Sequence, residues 1–399
     1  MSDEIRLIES RYERLEEIAW WDQRKLLNAR VLVAGAGALG NEILKNLALL
    51  GIGRVIIVDF DTIELSNLSR SILFRAADRG RSKAETAAER LREINPDVQI
   101  LPVQGDLRWD IGLGVYRRMD VVLAGLDSIG ARMAINHRCW RAGVPWIDGG
   151  LDELSGMMRV YVPPNGACFE CNLTDEDYRR VNLRYSCQLL ERRGLIEASV
   201  PTTPTIAAVI GAWQVQEAVK FIHGRPVAAS QGVGYQGLTH AFYIVNYRRR
   251  AGCPAHDMIG DVSMLAEASS QLSVDELLSV VRSHFGATAA VELDREIIYR
   301  ILCPGCGARE DVLLPHHRLS REDRRCPRCG SERTLSMTHV LDGSEPFGDA
   351  RLSELGIPPL HILTVSGPGR RRIPIELTGD LSAGPLADLL REEASHGNA

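Results

Sequence analysis

A doubly wound α/β domain, followed by a cysteine-knuckled ribbon and a β-leaning tail, is the fold class this sequence predicts. Three observations carry that expectation. Short apolar runs alternate with amphipathic stretches from Val31 to Ile147, the pattern of a parallel sheet with crossover helices. Gly35-Ala-Gly-Ala-Leu-Gly40 directly follows the first of those runs. Cys303-Pro-Gly-Cys306 and Cys326-Pro-Arg-Cys329 stand with 19 residues between them, the spacing of a zinc ribbon.

The elements follow in order. Residues 1–30 read as an amphipathic helical segment with Trp20 and Trp21 as apolar anchors, behind Arg11, Tyr12 and Arg14. Val31–Ala34 is a short buried strand, Asn41–Leu50 a helix, and Arg54–Val58 a second strand ending at Asp59. Strand, glycine motif, helix, strand and terminal acid form one Rossmann-like βαβ unit. Ser82–Ile94 reads as a helix, Val98–Val103 and Val121–Ala124 as strands, and Ala131–Ala142 as a helix before a strand beginning at Trp146. Residues 166–205 form an irregular crossover. A helix over Ile206–Ile222 then returns the chain to a domain spanning 31–258. Residues 259–340 hold the ribbon, with Ser273-Val-Asp-Glu276 as a capping box, and 341–399 form a small β-leaning module.

Composition narrows the class. The 399 residues leave room for two to three domains, and 45% hydrophobic with 25% charged residues excludes disorder for the bulk. No apolar run approaches the ~18–20 residues of a membrane span. The start lacks the basic and apolar regions of a secretory signal, so a cytoplasmic, membrane-free protein is expected. A net charge of −5 gives no global attraction to nucleic acid. Only Lys25, Lys45, Lys83 and Lys220 are lysines among 47 basic residues. The bland reading of that scarcity is codon bias from a GC-rich genome, yet each retained lysine is less readily filler.

The cysteines suggest metal more than disulfides. Cys303, Cys306, Cys326 and Cys329 would close a tetrahedral thiolate shell with no open position, hence a structural zinc site. His316 and His317, between the knuckles, could substitute but are unnecessary. A looser set pairs Cys168-Phe-Glu-Cys171 with Cys253-Pro-Ala-His256 across 81 residues; the alternative is a pair of buried thiols and an exposed histidine. Two structural zinc ions are expected. Cys139 lies inside a predicted helix and reads as core, and Cys187 remains.

The glycine motif alone would favour a nicotinamide-dependent oxidoreductase. Its surroundings point elsewhere. Gly35, Gly37 and Gly40 can bring backbone close to a phosphate, and Asp59 can accept from ribose hydroxyls. A polar loop then runs from Asp61 through Asn67 to Arg70, followed by Gly80-Arg-Ser-Lys83. Asp127 follows a strand, where open α/β sheets bind ligands. A ribose acid, two cations and a further carboxylate suit ATP with Mg2+ better than a dinucleotide. The bland alternative for Arg70 and Lys83 is a solvated surface pair.

The stretches GAGALGNEILKNLALLG, IVDFDTIELSNLSR, GRSKAE and GLDSIGARMAIN resemble the adenylating half of ubiquitin-like-protein activating enzymes. The broader relatives are the bacterial ThiF/MoeB adenylyltransferases. The resemblance covers about residues 11–250 and implies a doubly wound adenylation domain. It also implies that ATP and magnesium activate the C-terminal carboxylate of a ubiquitin-like protein. By position, Asp59 would bind ribose, Asn67, Arg70 and Lys83 the phosphates, and Asp127 magnesium. Arg14, in Arg11-Tyr-Glu-Arg14, matches the arginine that reaches a neighbouring subunit's site, implying a homodimer; an exposed helix arginine is the alternative. The second cysteine set resembles the family's zinc site, with His256 in place of the final cysteine.

In the conjugating branch of that family an enzyme cysteine takes the acyl group as a thioester. Cys187 is the candidate, in the crossover where related enzymes place theirs, with Arg184, Arg192 and Arg193 near in sequence to favour thiolate. Related proteins carry a cysteine just before a similar ASxPTT stretch, where Ile196 and Glu197 stand here. A buried filler is the other reading of Cys187. The region beyond 260 could recruit the ubiquitin-like protein or a conjugating enzyme, or be structural padding. Three rivals remain: an adenylate-only enzyme feeding sulfur transfer to a cofactor, a nucleic-acid-binding ribbon supported by Arg248–Arg250 and Arg370–Arg372, and a nicotinamide-dependent oxidoreductase, which would need a nicotinamide-side catalytic set that the sequence does not offer.

Overall fold

The computed structural model describes residues 10–179, 201–320, 322–367 and 372–390. The chain forms two compact units. The described residues of the first are 10–104, 119–172 and 201–255. The second takes the rest, including residues 105–118 from between two strands of the first unit's sheet.

The N-terminal segment is two short helices, α1 (Glu13–Glu16) and α2 (Gln23–Asn28), where one helical stretch was expected. Trp20 and Trp21 sit in the bend between them, each ring centroid 5.2 Å from that of His223. Asp22 then caps α2 by accepting from the Arg24 N–H. Strand β1 (Arg30–Ala34) leads to α3 (Ala38–Leu50), which ends at left-handed Gly51. Strand β2 (Arg54–Val58) is buried throughout. Helix α4 (Lys83–Ile94) begins at the Ser82 cap, followed by β3 (Gln99–Val103) and β4 (Val121–Ala124). Helix α5 (Ile129–Ala142) is capped by Ser128 and stopped by left-handed Gly143.

After β5 (Trp146–Asp152) and β6 (Ser155–Tyr161) comes α6 (Pro204–Ile222), capped by Thr203 with proline at its first turn. Strands β7 (Gln231–Gln236) and β8 (Ala241–Asn246) finish the sheet. Its order is β3-β2-β1-β4-β5-β6-β7-β8, parallel as far as β5 and antiparallel beyond. The winding reverses between β1 and β4, the point where doubly wound sheets open a crevice at their carboxyl edge. Among the described residues no helix is long and apolar enough to cross a membrane.

Among the described residues, the second unit packs a mixed sheet with an amphipathic helix. Strand β9 (Ser263–Leu265) is followed by α7 (Val274–Phe285), opened by the reciprocal Ser273–Glu276 capping box. Strand β10 (Ala290–Leu302) pairs with β11 (Arg309–Pro315), β12 (Thr334–Leu341) and β13 (Ile362–Ser366). Strand β14 (Arg372–Leu377) joins β13 to β9. Strands on both sides of residue 340 therefore share one sheet. Leu277, Val281, Val291, Ile297, Leu341, Val365 and Ile375 are among its core.

Residues 105–118 are bound into this unit by charge, stacking and backbone. Glu376 is fully buried and accepts from Arg117 at 2.7 Å and from Arg118. The Gly114 N–H donates to the Leu360 carbonyl at 2.9 Å. Trp109 stacks on His317 with centroids 4.1 Å apart and planes 7° from parallel, and the Arg295 guanidinium lies 5.3 Å from the indole. His316 instead lies 3.2 Å from Arg324 and 3.7 Å from Glu296.

Burial, with Arg295 and Arg318 nearby, pushes the His317 imidazole down from 6.5 to about 4. A base whose folded pKa is lowered favours the folded state fully above its ordinary pKa. That contribution is lost as pH falls from 6.5 toward about 4. His317 is more than a third exposed, so solvent screening keeps the effect modest. We expect its NMR titration midpoint near 4, rising toward 6.5 in Trp109→Leu. A midpoint near 6.5 in the unaltered chain would mean the stack does not hold.

Candidate nucleotide site and two metal-ligand clusters

Strand β1 delivers the chain to Gly35, whose φ is +92° and whose N–H donates to the Val58 carbonyl at 2.8 Å. A β-carbon at Gly35 would fall 2.6 Å from the Gly125 carbonyl, and one at Gly40 would fall 2.0 Å from the Gly35 carbonyl. Close backbone packing therefore demands both glycines. Gly37 differs, because a β-carbon there would meet nothing within 4 Å. That open face, beside the N–H groups that begin α3, fits a phosphate or ribose.

Asp59 closes the turn from the side of β2. Its carboxylate accepts from the Ala36 N–H at 2.6 Å and the Asp61 N–H at 2.8 Å. Burial raises its pKa above the ordinary carboxylate range, against the pull of those bonds and of Lys83. Lone pairs remain for a ribose hydroxyl. Lys83, the first residue of α4, donates to Asp61 at 2.7 Å; its side chain is 11% exposed and that of Asp61 50%. An incoming phosphate could draw the ammonium from this exposed partner.

Asn67 accepts from the Glu64 N–H at 2.9 Å and so caps its own one-turn helix, leaving its amide NH2 for a phosphate. Arg70 donates to the Ser66 carbonyl at 2.9 Å. Asp127 lies exposed three residues past the end of β4. The exit from β4 packs against the glycine turn, since a β-carbon on Gly125 would come within 3.0 Å of the Gly40 nitrogen. A hard, exposed carboxylate is the donor magnesium takes.

The sequence reading missed Asn41. Fully buried, it donates to the Ala36 and Gly37 carbonyls at 2.7 and 3.0 Å and accepts from the Leu73 N–H at 2.8 Å. It thereby ties the glycine turn to the stretch that carries Arg70. The available signal was an amide on the buried face of an apolar helix.

Arg14 is exposed on α1, far from this cluster in its own chain. Tyr12, two residues earlier, accepts from Asn95 at 2.9 Å and packs beneath Gly51. Gly51 closes the 13-residue α3 at the end opposite the glycine turn, about 20 Å away at 1.5 Å per residue. Cys139 is buried in α5, and burial pushes its thiol pKa well up. Cys187 lies outside the described residues, as do Arg184, Arg192 and Arg193.

Both cysteine sets converge. Ligand atoms of Cys168, Cys171, Cys253 and His256 all lie within 4.8 Å of one another, and so do those of Cys303, Cys306, Cys326 and Cys329. Sulfur separations are 3.7 Å for Cys168–Cys171 and Cys168–Cys253, 3.4 Å for Cys303–Cys329 and 3.6 Å for Cys306–Cys326. The tetrahedral edge for zinc–thiolate bonds is about 3.8 Å, so both sets could hold zinc. In the ribbon, each knuckle turns through a left-handed glycine, Gly307 and Gly330. Around the first set the Arg250 N–H donates to Cys171 at 3.3 Å, while Arg249 binds the Pro164 carbonyl at 2.6 Å.

The fold is a doubly wound α/β sheet whose order reverses between β1 and β4, with the glycine turn and Asp59 at the carboxyl ends of β1 and β2. Residues 10–255 match the ThiF family. The chain belongs to the ThiF family and is an adenylyltransferase in class. It is 30% identical over 255 residues to the sulfur carrier protein ThiS adenylyltransferase of Escherichia coli K12, covering 64% of this chain and 96% of that protein. It is 41% identical over 157 residues to the NEDD8-activating enzyme E1 catalytic subunit of Dictyostelium discoideum, covering 36% of this chain but only 35% of that protein. Among solved structures, E. coli MccB with AMPCPP and MccA aligns at a TM-score of 0.51 and 25% identity, over 64% of this chain and 75% of that one.

Proposed function

We propose that this chain activates the C-terminal carboxylate of a ubiquitin-like protein as an acyl adenylate and then carries it as a thioester on Cys187. The observation that supports the adenylation step best is the meeting of Asp59, Asp61 and Lys83 beside an open glycine turn, with Asp127 three residues past β4 across the switch point. Asp59 holds the ribose. Asn67, Arg70 and Lys83 draw the phosphates into line, and the partner's carboxylate oxygen attacks the α-phosphorus. The bond from that phosphorus to the bridging oxygen breaks, and pyrophosphate leaves. Asp127 would hold magnesium, and that ion would supply charge neutralisation for the departing pyrophosphate. The Cys187 thiolate then attacks the acyl carbon, and AMP leaves.

Arg14, about a helix length from its own chain's turn, would act in the site of a second copy, which makes the working form a homodimer. Zinc at the two cysteine sets would be structural. The same reading puts the enzyme in the cytoplasm, with a conjugating enzyme as a candidate downstream partner and no role for nucleic acid or membrane.

The span of the matches favours a second reading. The ThiS adenylyltransferase is covered over 96% of its length and the NEDD8-activating subunit over only 35%, which supports an adenylate passed to a sulfur donor. One experiment separates the two. Protein, ATP, magnesium and a cognate ubiquitin-like protein are incubated and run on a non-reducing gel beside a thiol-treated lane. We expect a thiol-sensitive band that Cys187→Ala removes while pyrophosphate exchange stays within about twofold. No band, with exchange present, would leave the sulfur-transfer reading.

A further inference from the structure

The residues around Asp127 contain an ion cluster that the mechanism above does not use. Asp148, on β5, is fully buried. Its two oxygens accept from Arg132 on α5 at 2.9 Å and from Arg159 on β6 at 2.9 Å. Arg132 has two further contacts, donating through Nη2 to the Leu126 carbonyl at 2.5 Å and to the Gly149 carbonyl at 3.0 Å. Leu126 immediately precedes Asp127. Arg159 is steadied in turn by the Tyr247 hydroxyl at 3.2 Å.

We infer that Arg132 is a positioning residue that fixes the carboxylate of Asp127 for its metal. A carboxylate on an exposed turn has many orientations, and ordering them costs binding free energy. Here the turn is anchored one residue before the carboxylate, by a guanidinium whose planar fork is itself held by a buried anion. Lysine could keep the charge but could not reach Asp148, Leu126 and Gly149 in one plane. Arg159 holds the other side of Asp148, so the anchor for the turn extends into β6. The inference rests on the assignment of Asp127 to metal–nucleotide binding proposed above.

The test uses the full chain and needs no protein partner. Mn2+ is titrated in the presence of ATP and followed by electron paramagnetic resonance, and ATP binding is measured separately in EDTA by calorimetry. The variants are Arg132→Lys, Arg132→Gln and Asp127→Asn, alone and combined; if the glutamine variant fails to fold, the lysine variant decides. Arg132 variants should weaken Mn2+ binding by about 10- to 100-fold, as loss of an outer-shell partner does. ATP binding in EDTA should stay within about twofold, and Asp127→Asn should add little to an Arg132 variant. Equal loss with and without metal, full additivity with Asp127→Asn, or no loss at all would overturn the positioning role. If Asp127→Asn alone leaves Mn2+ binding intact, the metal assignment of Asp127 fails first.

Discussion

Asp127→Ala should lower ATP–pyrophosphate exchange by about 10²–10³-fold, the usual cost of removing one charge-stabilising group from such a transition state. The size follows from where the residue sits. It stands at the carboxyl edge of β4, beside a glycine turn whose open face can take the phosphates, and no other carboxylate of the predicted set follows a strand on that side of the switch point. The side chain is exposed, so the substitution should leave stability within about 0.5 kcal/mol. Loss of exchange with an unchanged melting curve is therefore the informative result. Exchange that survives within about twofold would remove the nucleotide assignment itself.

The second large effect concerns the other unit. Arg117→Ala combined with Arg118→Ala should destabilise it by about 3–5 kcal/mol, because Glu376 would be left buried without a counter-charge. Glu376→Ala should cost less, although it breaks the same two ion pairs. The arginine side chains are 31% and 19% exposed and can turn toward water, whereas the glutamate is 0% exposed and cannot. Replacing all three should recover part of the loss. Hydrogen exchange read on peptides from β10 and β14 would report this unit alone, with protection falling about 10²–10⁴-fold in the double variant. The reverse ranking, with Glu376→Ala the worse, would show that the carboxylate finds water and that its burial is not what matters.

Much of this architecture was legible because it is written locally. Strand β2 and the cores of α3, α4 and α5 follow from apolar period and cap residues: Ser82 stands where it starts a helix and Gly143 where it stops one. The glycine motif with Asp59 and the Cys303–Cys329 ribbon are short-range signatures, whereas the Cys168, Cys171, Cys253 and His256 set is joined only by the fold. What was not legible depends on partners distant in sequence. The N-terminal helical segment is broken because Trp20 and Trp21 pack on His223, some 200 residues away. Asn41 and Arg132 look like ordinary helix polar residues until the carbonyls they bind are brought to them. Nothing in residues 105–118 marks them as belonging with β14, because Glu376 gives no local sign of being buried.

That last arrangement constrains how the protein can be made. Arg118 leaves the ribosome 258 residues before Glu376. At 5–20 residues per second this is a wait of roughly ten to fifty seconds. During that interval Trp109 lacks His317 to stack on, and Arg117 and Arg118 lack their carboxylate. A holdase-type chaperone has a natural point of attachment there. By the same token the ribbon-bearing half is not a cassette. A gene fragment beginning near residue 256 would encode that unit's sheet without the strip of chain that completes it, and shuffling it onto another enzyme would leave a buried carboxylate with no cation to meet.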